Sequence, residues 1–419
     1  MRVLFITDPF QVEPLGLGYL ASSIKRHDHQ STLVTTDDLT WKDLVDIDVV
    51  GYSITTGKHK RFLELNRKLK GVSKFISVFG GSHPTYFPEM IKEDGVDAIV
   101  RGEGEKSFTD FLDITSLRKI DKVEIGFAPL EQNLDSLPFP DREFLYKYPI
   151  NRINPIKNVM TSRGCRFSCP YCFNSLYRSF YKDQTWVRFR SVKNVIDECK
   201  ELKNKYHAKF IFFQDDEFLS NPNLMDLLDT YRYKIAIPFH CQIRIELLTY
   251  PIAKCLQAAG CTGVTFAIES GSEQIRKDLL NRKMSDGKIM WGVNILHEVG
   301  LKFRTENMIG LPGETYKDMI KTLDFNAQCK PTIGWASIFQ PYPRLPLANC
   351  TDVNDFHESF FTDTMVNKRD RVSIIKLQRL FGLLVSHPGL RWLLLLPNNK
   401  IFDKIYQWWK QRRYNVLFR

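Results

Sequence analysis

Residues 164–174, GCRFSCPYCFN, place Cys165, Cys169 and Cys172 at the spacing C-x3-C-x2-C, directly after an apolar run that reads as a strand. Three thiolates within eight residues can wrap one metal centre. Soft sulfur ligands favour zinc or an iron–sulfur cluster. A closed structural zinc site needs a fourth Cys or His, usually nearby. None follows at finger-like spacing, and the next cysteine, Cys199, sits in the helical stretch VIDECKEL. Three protein ligands leave one iron of a four-iron cluster open to bind something else. The competing reading is a zinc knuckle with a distant fourth ligand.

Working outward, the strand before this loop is the first of a series. KNVMTSRG (157–164), KFIFFQDD (209–216), IPFHCQIR (237–244), GVTFAIES (263–270), KFRTENMIG (302–310) and WASIFQPY (335–342) are short apolar runs, mostly separated by helical segments. Strand alternating with helix predicts a parallel sheet wrapped by helices. Six such units predict an open or partial barrel over residues 155–345. Upstream, RVLFIT (2–7), STLVTT (31–36), VDIDVVGYSITT (45–56), KFISVFGG (74–81) and DAIVRGEGE (97–105) repeat the alternation over residues 1–127. Several of these strands end in small residues, Ser53, Thr55, Gly80, Gly81 and Gly102 among them, where a ligand approaches the backbone of such a sheet. Between the two series, residues 128–154 are proline-rich and aperiodic and read as a linker. Residues 346–419 read as helical.

The chain has 419 residues, 43% hydrophobic and 26% charged, which excludes wholesale disorder and fibrous classes. Nine cysteines are odd in number and too sparse for a disulfide scaffold. The start, MRVLFITDPF, lacks the pattern of a signal peptide, and no uncharged apolar run reaches the ~20 residues of a membrane span. The expectation is a cytoplasmic chain with reduced thiols. Cys199, Cys241, Cys255, Cys261, Cys329 and Cys350 read as packed thiols.

The C-x3-C-x-aromatic-C motif, with Tyr171 as the aromatic, resembles the signature of radical S-adenosylmethionine (SAM) enzymes. The resemblance covers about residues 155–345 and implies a 4Fe–4S cluster on the three cysteines, with SAM chelating the fourth iron and cleaved there to a 5′-deoxyadenosyl radical. It also implies roles in strand order. Asp215, Asp216 and Glu217 stand where members bind the methionine amino group, replacing the usual Gly-Gly-Glu-like turn. Arg244 is placed to pair with the methionine carboxylate, and Glu269 and Ser270 to bond ribose hydroxyls. Gly310 and Leu311, in MIGLPGET, resemble the backbone element that holds adenine. Taken alone, an Asp-Asp-Glu cluster is usually a solvated strand end and a Glu-Ser-Gly turn a helix N-cap. Their order behind the three cysteines carries the case.

The first domain resembles the cobalamin-binding domain found ahead of such cores, through PLGLGYLASSIK, VVGYSITT, FGGSHPTYFPE and VRGEGEKSF. The resemblance implies corrinoid contacts from Leu15, Gly16, Ser53, Thr55, Gly80, Gly81, His83, Gly102 and Glu103. Many such domains carry D-x-H-x-x-G after the first strand, whose His ligates cobalt. Here the segment is DPFQVEPLGLG, with no His, so no imidazole from that loop reaches cobalt. His29 reads as a surface residue, and His83 either bonds the corrin or shapes a turn. A dinucleotide reading rests on an incomplete G-x-G-x-x-G at Gly16–Gly18, with Ala21 in the third place.

The net charge is +11, and residues 364–419 hold twelve Lys or Arg against Asp370 and Asp403, so ten of those charges lie in the tail. Aromatics interleaved with cations suit an interfacial helix on anionic lipid. A helical subdomain packed on the barrel is the equal alternative, and no motif supports nucleic-acid binding. The expected function is a cobalamin-dependent radical SAM methyltransferase acting on a small-molecule or lipid-linked substrate, with an external donor of flavodoxin or ferredoxin type. Non-methylating cyclisation or rearrangement is the alternative within the family, and a cobalamin and iron–sulfur redox sensor the alternative outside it. The expected location is cytoplasmic, with peripheral contact to the cell membrane's inner face through the tail.

Overall fold

The computed structural model describes all residues except 11, 116–119, 351–363, 365–369, 398 and 418–419; the side chains of 349, 350 and 410–417 are likewise outside the described set. The chain divides into two compact units, one of residues 1–154 with 179–185, the other of residues 155–178 with 186–419.

The first unit is built on strands β1 (Arg2–Thr7), β2 (Gln30–Thr35), β3 (Val49–Ser53), β4 (Ile76–Gly80), β5 (Ala98–Val100) and β6 (Val123–Ile125). They form one sheet in the order β2-β1-β3-β4-β5-β6, every neighbouring pair parallel. Helices α1 (Leu15–Lys25), α2 (His59–Lys70), α3 (Ser82–Tyr86) and α4 (Gly104–Thr115) connect them. Val3 to Ile6 are all buried, the continuous apolar run of a strand covered on both faces. The chain leaves β1 for β2 on one side and then crosses to β3 on the other, which opens a crevice at the strands' carboxyl ends. β6 is absent from the sequence reading because VEI is too short and polar to stand out.

The segment expected as a linker, 128–154, belongs to this unit. Its helices α5 (Arg142–Leu145) and α6 (Pro149–Ile153) are tied down by long-range bonds. Buried Glu13 accepts from Arg142 Nη1 at 2.7 Å and from the Tyr146 hydroxyl at 2.6 Å. Tyr148 Oη accepts from the Thr35 N–H at 2.7 Å. A Cβ on Gly18 would lie 2.9 Å from Pro140, so this glycine of the GLG motif lets the segment pack on α1. These partners lie over a hundred residues away in sequence, where periodicity carries no signal.

The second unit carries β7 (Ile156–Val159), the short hairpin β8 (Ser162–Arg163) and β9 (Arg188–Phe189), then β10 (Phe210–Phe213), β11 (Phe239–Gln242), β12 (Cys261–Glu269), β13 (Lys302–Ile309) and β14 (Ile333–Ile338). Six of these make a parallel sheet in the order β14-β13-β12-β11-β10-β7, and no ladder joins β7 to β14 among the described residues. This is the expected partial (β/α)6 barrel. Helix α7 (Phe173–Ser179) follows the cysteine loop, and α8 (Val192–Asn204), α9 (Leu224–Lys234), α10 (Tyr250–Ala258), α11 (Asp286–Val299) and α12 (Tyr316–Cys329) pack on the outer face. Alternation along each strand sends Phe213, Phe239, Phe266 and Phe303 into that helix-covered core. Most of these helices start on a side-chain cap: Ser191, Thr249, Ser285 and Thr315 accept from the backbone N–H three residues on.

Helices α13 (Arg371–Ser386) and α14 (Ile401–Leu417) close the unit, linked by a 3-10 run at Pro388–Leu395. Ile374, Leu377, Leu380, Phe381 and Leu384 of α13 are buried against Ile309, Ala336 and Ile338. The edge strand β14 is thereby covered, which removes an exposed sheet edge. For α13 the packing alternative describes the tail.

Candidate cofactor sites

In the second unit the cysteine loop leaves β8 through Gly164, whose φ of +86° and closeness to Trp186 exclude a side chain. The Trp186 indole donates to the Cys165 carbonyl at 3.1 Å and fixes the loop's entry. Asp215, at the end of β10, is fully buried and accepts from the Thr161 N–H at 3.0 Å, the Thr161 hydroxyl at 2.8 Å and the Ser162 hydroxyl. It anchors the strand that leads into the loop. Asp216 is hydrogen-bonded to Asn174 of α7, and Glu217 accepts from the Leu219 N–H at 2.9 Å and from Ser220.

Arg244 packs its guanidinium 3.9 Å from the Phe167 ring centre and points Nη1 at Cys169 Sγ, 3.7 Å away. Its other nitrogens hold Glu246. Tyr171, the aromatic of the motif, donates to Glu269 Oε1 at 3.0 Å. Arg282 reaches both, 3.3 Å from the Tyr171 hydroxyl and 4.0 Å from Glu269. Glu269 sits at φ +71° at the end of β12, and burial raises its pKa. Ser270 is fully buried; its carbonyl accepts from Arg276 at 2.8 Å and its hydroxyl from the Ser272 N–H. At the end of β13 the Gly310 and Leu311 N–H groups donate to Glu314 Oε2 at 2.7 and 3.0 Å. Burial raises the Glu314 carboxyl to about 8.

The strand order thus brings the cysteines, Tyr171, Arg244 and Glu269 together, while Asp215 and Ser270 are taken up in holding turns. Arg282, Arg276, Glu246 and Trp186 are additions. None belongs to a motif, and only the fold shows them.

The donor set fits an iron–sulfur cluster. Burial raises the Cys165 thiol and pushes Cys172 up to about 12, and the Cys169 sulfur beside them raises both further. A cationic metal centre relieves both penalties by displacing the protons. Among the described residues no three ligating side chains are arranged to hold a single ion. A four-iron cluster takes each thiolate on a separate iron, so it does not ask the sulfurs to converge on one point. The other thiols are packing groups: Cys199, Cys241, Cys261 and Cys329 are buried in the core, with Cys255 packed beside it. Cys350 lies outside the described side chains.

In the first unit Ser53, Thr55 and Gly81 are exposed at the ends of β3 and β4, with Gly80 and Gly102 half-buried beside them. Gly81, at φ +92°, would drive a Cβ to 2.8 Å from the Ile54 carbonyl. Gly16 opens α1 with nothing within 4 Å of a notional Cβ, and Leu15 beside it is buried. Glu103 is half-buried. Small exposed groups at the sheet's switch point fit the close approach of a large planar ligand. His83 is buried, its ring stacked 3.9 Å from His59 and 4.9 Å from Phe87, with Thr56 Oγ1 3.2 Å from its Nδ1. In the loop after β1, Asp8 is ion-paired to Lys58 at 2.6 Å and to Arg61. His29, expected at the surface, has a side chain only 9% exposed and lies 2.9 Å from Asp113.

The radical SAM superfamily model matches residues 159–325, and the B12 binding domain model matches residues 1–112. An uncharacterized methyltransferase of Pyrococcus horikoshii is 31% identical over 82% of this chain and 78% of its own length. The chain belongs to the cobalamin-binding radical SAM enzymes. An anaerobic magnesium-protoporphyrin IX monomethyl ester cyclase of Rubrivivax gelatinosus is 22% identical over 82% of the chain and 68% of its own length. Among solved structures, the radical SAM methyltransferase TsrM of Kitasatospora setae matches with a TM-score of 0.67 at 17% identity. It covers 83% of this chain and 75% of that one, and shares the fold. The cofactors of this radical SAM enzyme are therefore a 4Fe–4S cluster, SAM and cobalamin. Among the described residues no helix is long and apolar enough to cross a membrane.

Proposed function

We propose that this enzyme methylates an unactivated carbon of a small-molecule or lipid-linked substrate. One SAM would be cleaved reductively to abstract the hydrogen and a second would replenish the methyl group. When bound, the cluster supplies the electron for cleavage and the corrinoid carries the methyl group. The supporting observation is a B12-binding unit and a radical SAM core on one chain whose 31% identical relative is named a methyltransferase.

The chain's residues would act as follows. Cys165, Cys169 and Cys172 hold the cluster, and Arg244 beside Cys169 places a positive charge where the methionine carboxylate binds. Glu269, oriented by Tyr171 and Arg282, presents a carboxylate to the ribose. The turn at Gly310 and Leu311, with its N–H groups held by Glu314, would support adenine. Ser53, Thr55, Gly80 and Gly81 line the corrinoid's approach. A low-potential donor of flavodoxin or ferredoxin type would deliver the electron in the cytoplasm.

Cyclisation is the second reading, favoured by the 22% identical relative named a cyclase. Feeding methyl-deuterated SAM and comparing lipids and metabolites from cells with and without the gene separates the two. The methylation reading requires a product heavier by the labelled methyl group. A product lacking the label but with a new ring assigns the second.

A further inference from the structure

Among the described residues, the tail keeps several large apolar side chains exposed. In the 3-10 run Pro388–Leu395, Trp392 is 54% exposed and Leu395 87% exposed. They stand three residues apart, which places them on one face of such a helix. Leu396 is exposed next to them. In α14, Ile401 (54%), Lys404 and Trp408 (54%) are exposed at i, i+3 and i+7, one stripe of the helix. Phe402 and Trp409, also seven apart, form a second stripe about 100° round the helix and are buried. The α14 helix therefore has an inner face used for packing and an outer face that carries tryptophan, isoleucine and lysine.

The unpaired charge of the described side chains around this surface is positive. Among the described residues, Lys400 and Lys404 are exposed beside it, and Arg391 pairs with Asp324 at 2.7 Å. Asp403 is itself paired to Arg379 at 2.7 Å, so no uncompensated negative charge remains there. The end of the 3-10 run is tied to α13 from beneath. Lys376 of α13 extends its ammonium to the Leu394 carbonyl at 2.6 Å and to that of Leu396.

We infer that the exposed faces of residues 388–397 and 399–408 are a docking surface for an anionic lipid bilayer, with Trp392, Leu395, Leu396 and Ile401 entering the interface and Lys400 and Lys404 meeting the headgroups. A second copy of this chain would set Lys400 and Lys404 against the same lysines of its partner. A nucleic acid would meet the lysines but offer no hydrocarbon to the exposed aliphatic side chains. An anionic bilayer supplies both. The inference does not depend on the reaction proposed above.

Removing the whole tail is not the test, because α13 is part of the core and its loss would bare β14. The full-length holoenzyme is floated with phosphatidylcholine vesicles, pure or containing about one-third phosphatidylglycerol, at low and high salt. The expected result is co-flotation with the anionic vesicles, weakened by salt. The L395S/I401S variant, altered only at exposed positions, should lose binding at least tenfold with unchanged unfolding midpoint and cobalamin content. K400Q/K404Q should lose roughly thirtyfold, at about 1 kcal/mol per lysine. Binding that survives L395S/I401S undiminished overturns the inference in favour of simple charge adsorption. Absence of anionic-vesicle binding overturns it too. A self-association abolished by L395S/I401S would instead assign the surface to a second copy.

Discussion

Both units are six-stranded parallel sheets, yet their strand ends are finished in opposite ways. In the first, the ends of β3 and β4 expose Ser53, Thr55 and Gly81, small groups that leave room. In the second, the corresponding positions carry charged or hydroxylic side chains that are buried and mutually bonded, as in Glu269 with Tyr171 and Arg282 or Asp215 with Thr161 and Ser162. In the proposed reading, a large, rigid, planar ligand would be met by clearing space. In that reading, a charged sulfonium amino acid beside a metal cluster would be met by oriented charge, which works only if the charges are fixed before it arrives. The first kind of site tolerates exposure, while the second depends on burial for its geometry.

If that contrast is right, damage to the two ends should have different characters. The largest effect is expected from replacing Cys165, Cys169 and Cys172 together by Ala. Iron and SAM cleavage should vanish while cobalamin binding to the purified protein persists, and a 4Fe–4S absorption spectrum in the triple variant would refute the ligand assignment. Next, Arg282→Met leaves the Glu269 carboxylate buried beside Tyr171 without the Arg282 cation, for a loss of about 3–5 kcal/mol in urea unfolding. A loss below about 1 kcal/mol, the range of exposed ion pairs, would show that these charges are not fixed by burial.

The Glu314 carboxyl sharpens the same point through pH. Its folded pKa, about 8, lies above the ordinary value of 4.5, so the folded protein holds a proton that the unfolded chain has released. That contribution is full below about pH 4.5 and is lost as pH rises through about 8, an effect on the order of a few kcal/mol. Glu314→Gln keeps an acceptor for the Gly310 and Leu311 N–H groups and should flatten the decline in unfolding midpoint between pH 5 and pH 8. An equal slope in both proteins would contradict the burial of this group. The smallest effect belongs to the first unit. Gly81→Ala, strained by its positive φ and by the Ile54 backbone, should cost about 1–3 kcal/mol and weaken cobalamin retention without changing iron content. A parallel loss of iron would mean that the two sites are not separable.

The sequence showed most of what the backbone repeats and little of what the side chains exchange. The three cysteines, the six core strands and the glycine-ended strands of the first unit were legible because spacing and apolar runs encode them. The residues 128–154 were not, because Glu13, Arg142 and Tyr146 are joined across more than a hundred positions. The carboxylates at the strand ends were found as residue types, but their employment was not. Asp215 reads as part of an acidic cluster and turns out to anchor Thr161 and Ser162, and Arg282 has no motif at all yet stands beside Tyr171 and Glu269. The tail read equally well as lipid-facing or packed, and the structure divides it: α13 packs, while the outer stripe of α14 stays exposed. Lys368, Arg369 and Arg419 of the tail lie outside the described residues.

The central claim is that the chain's cysteine loop and strand ends cleave SAM under reduction. It is tested most directly by measuring 5′-deoxyadenosine released by the cluster-reconstituted, cobalamin-loaded protein with SAM and a low-potential reductant. Reductant-dependent 5′-deoxyadenosine from the native chain and none from the Cys165, Cys169 and Cys172 triple variant is the predicted result. Absence of 5′-deoxyadenosine from a native protein carrying a full complement of iron would contradict it.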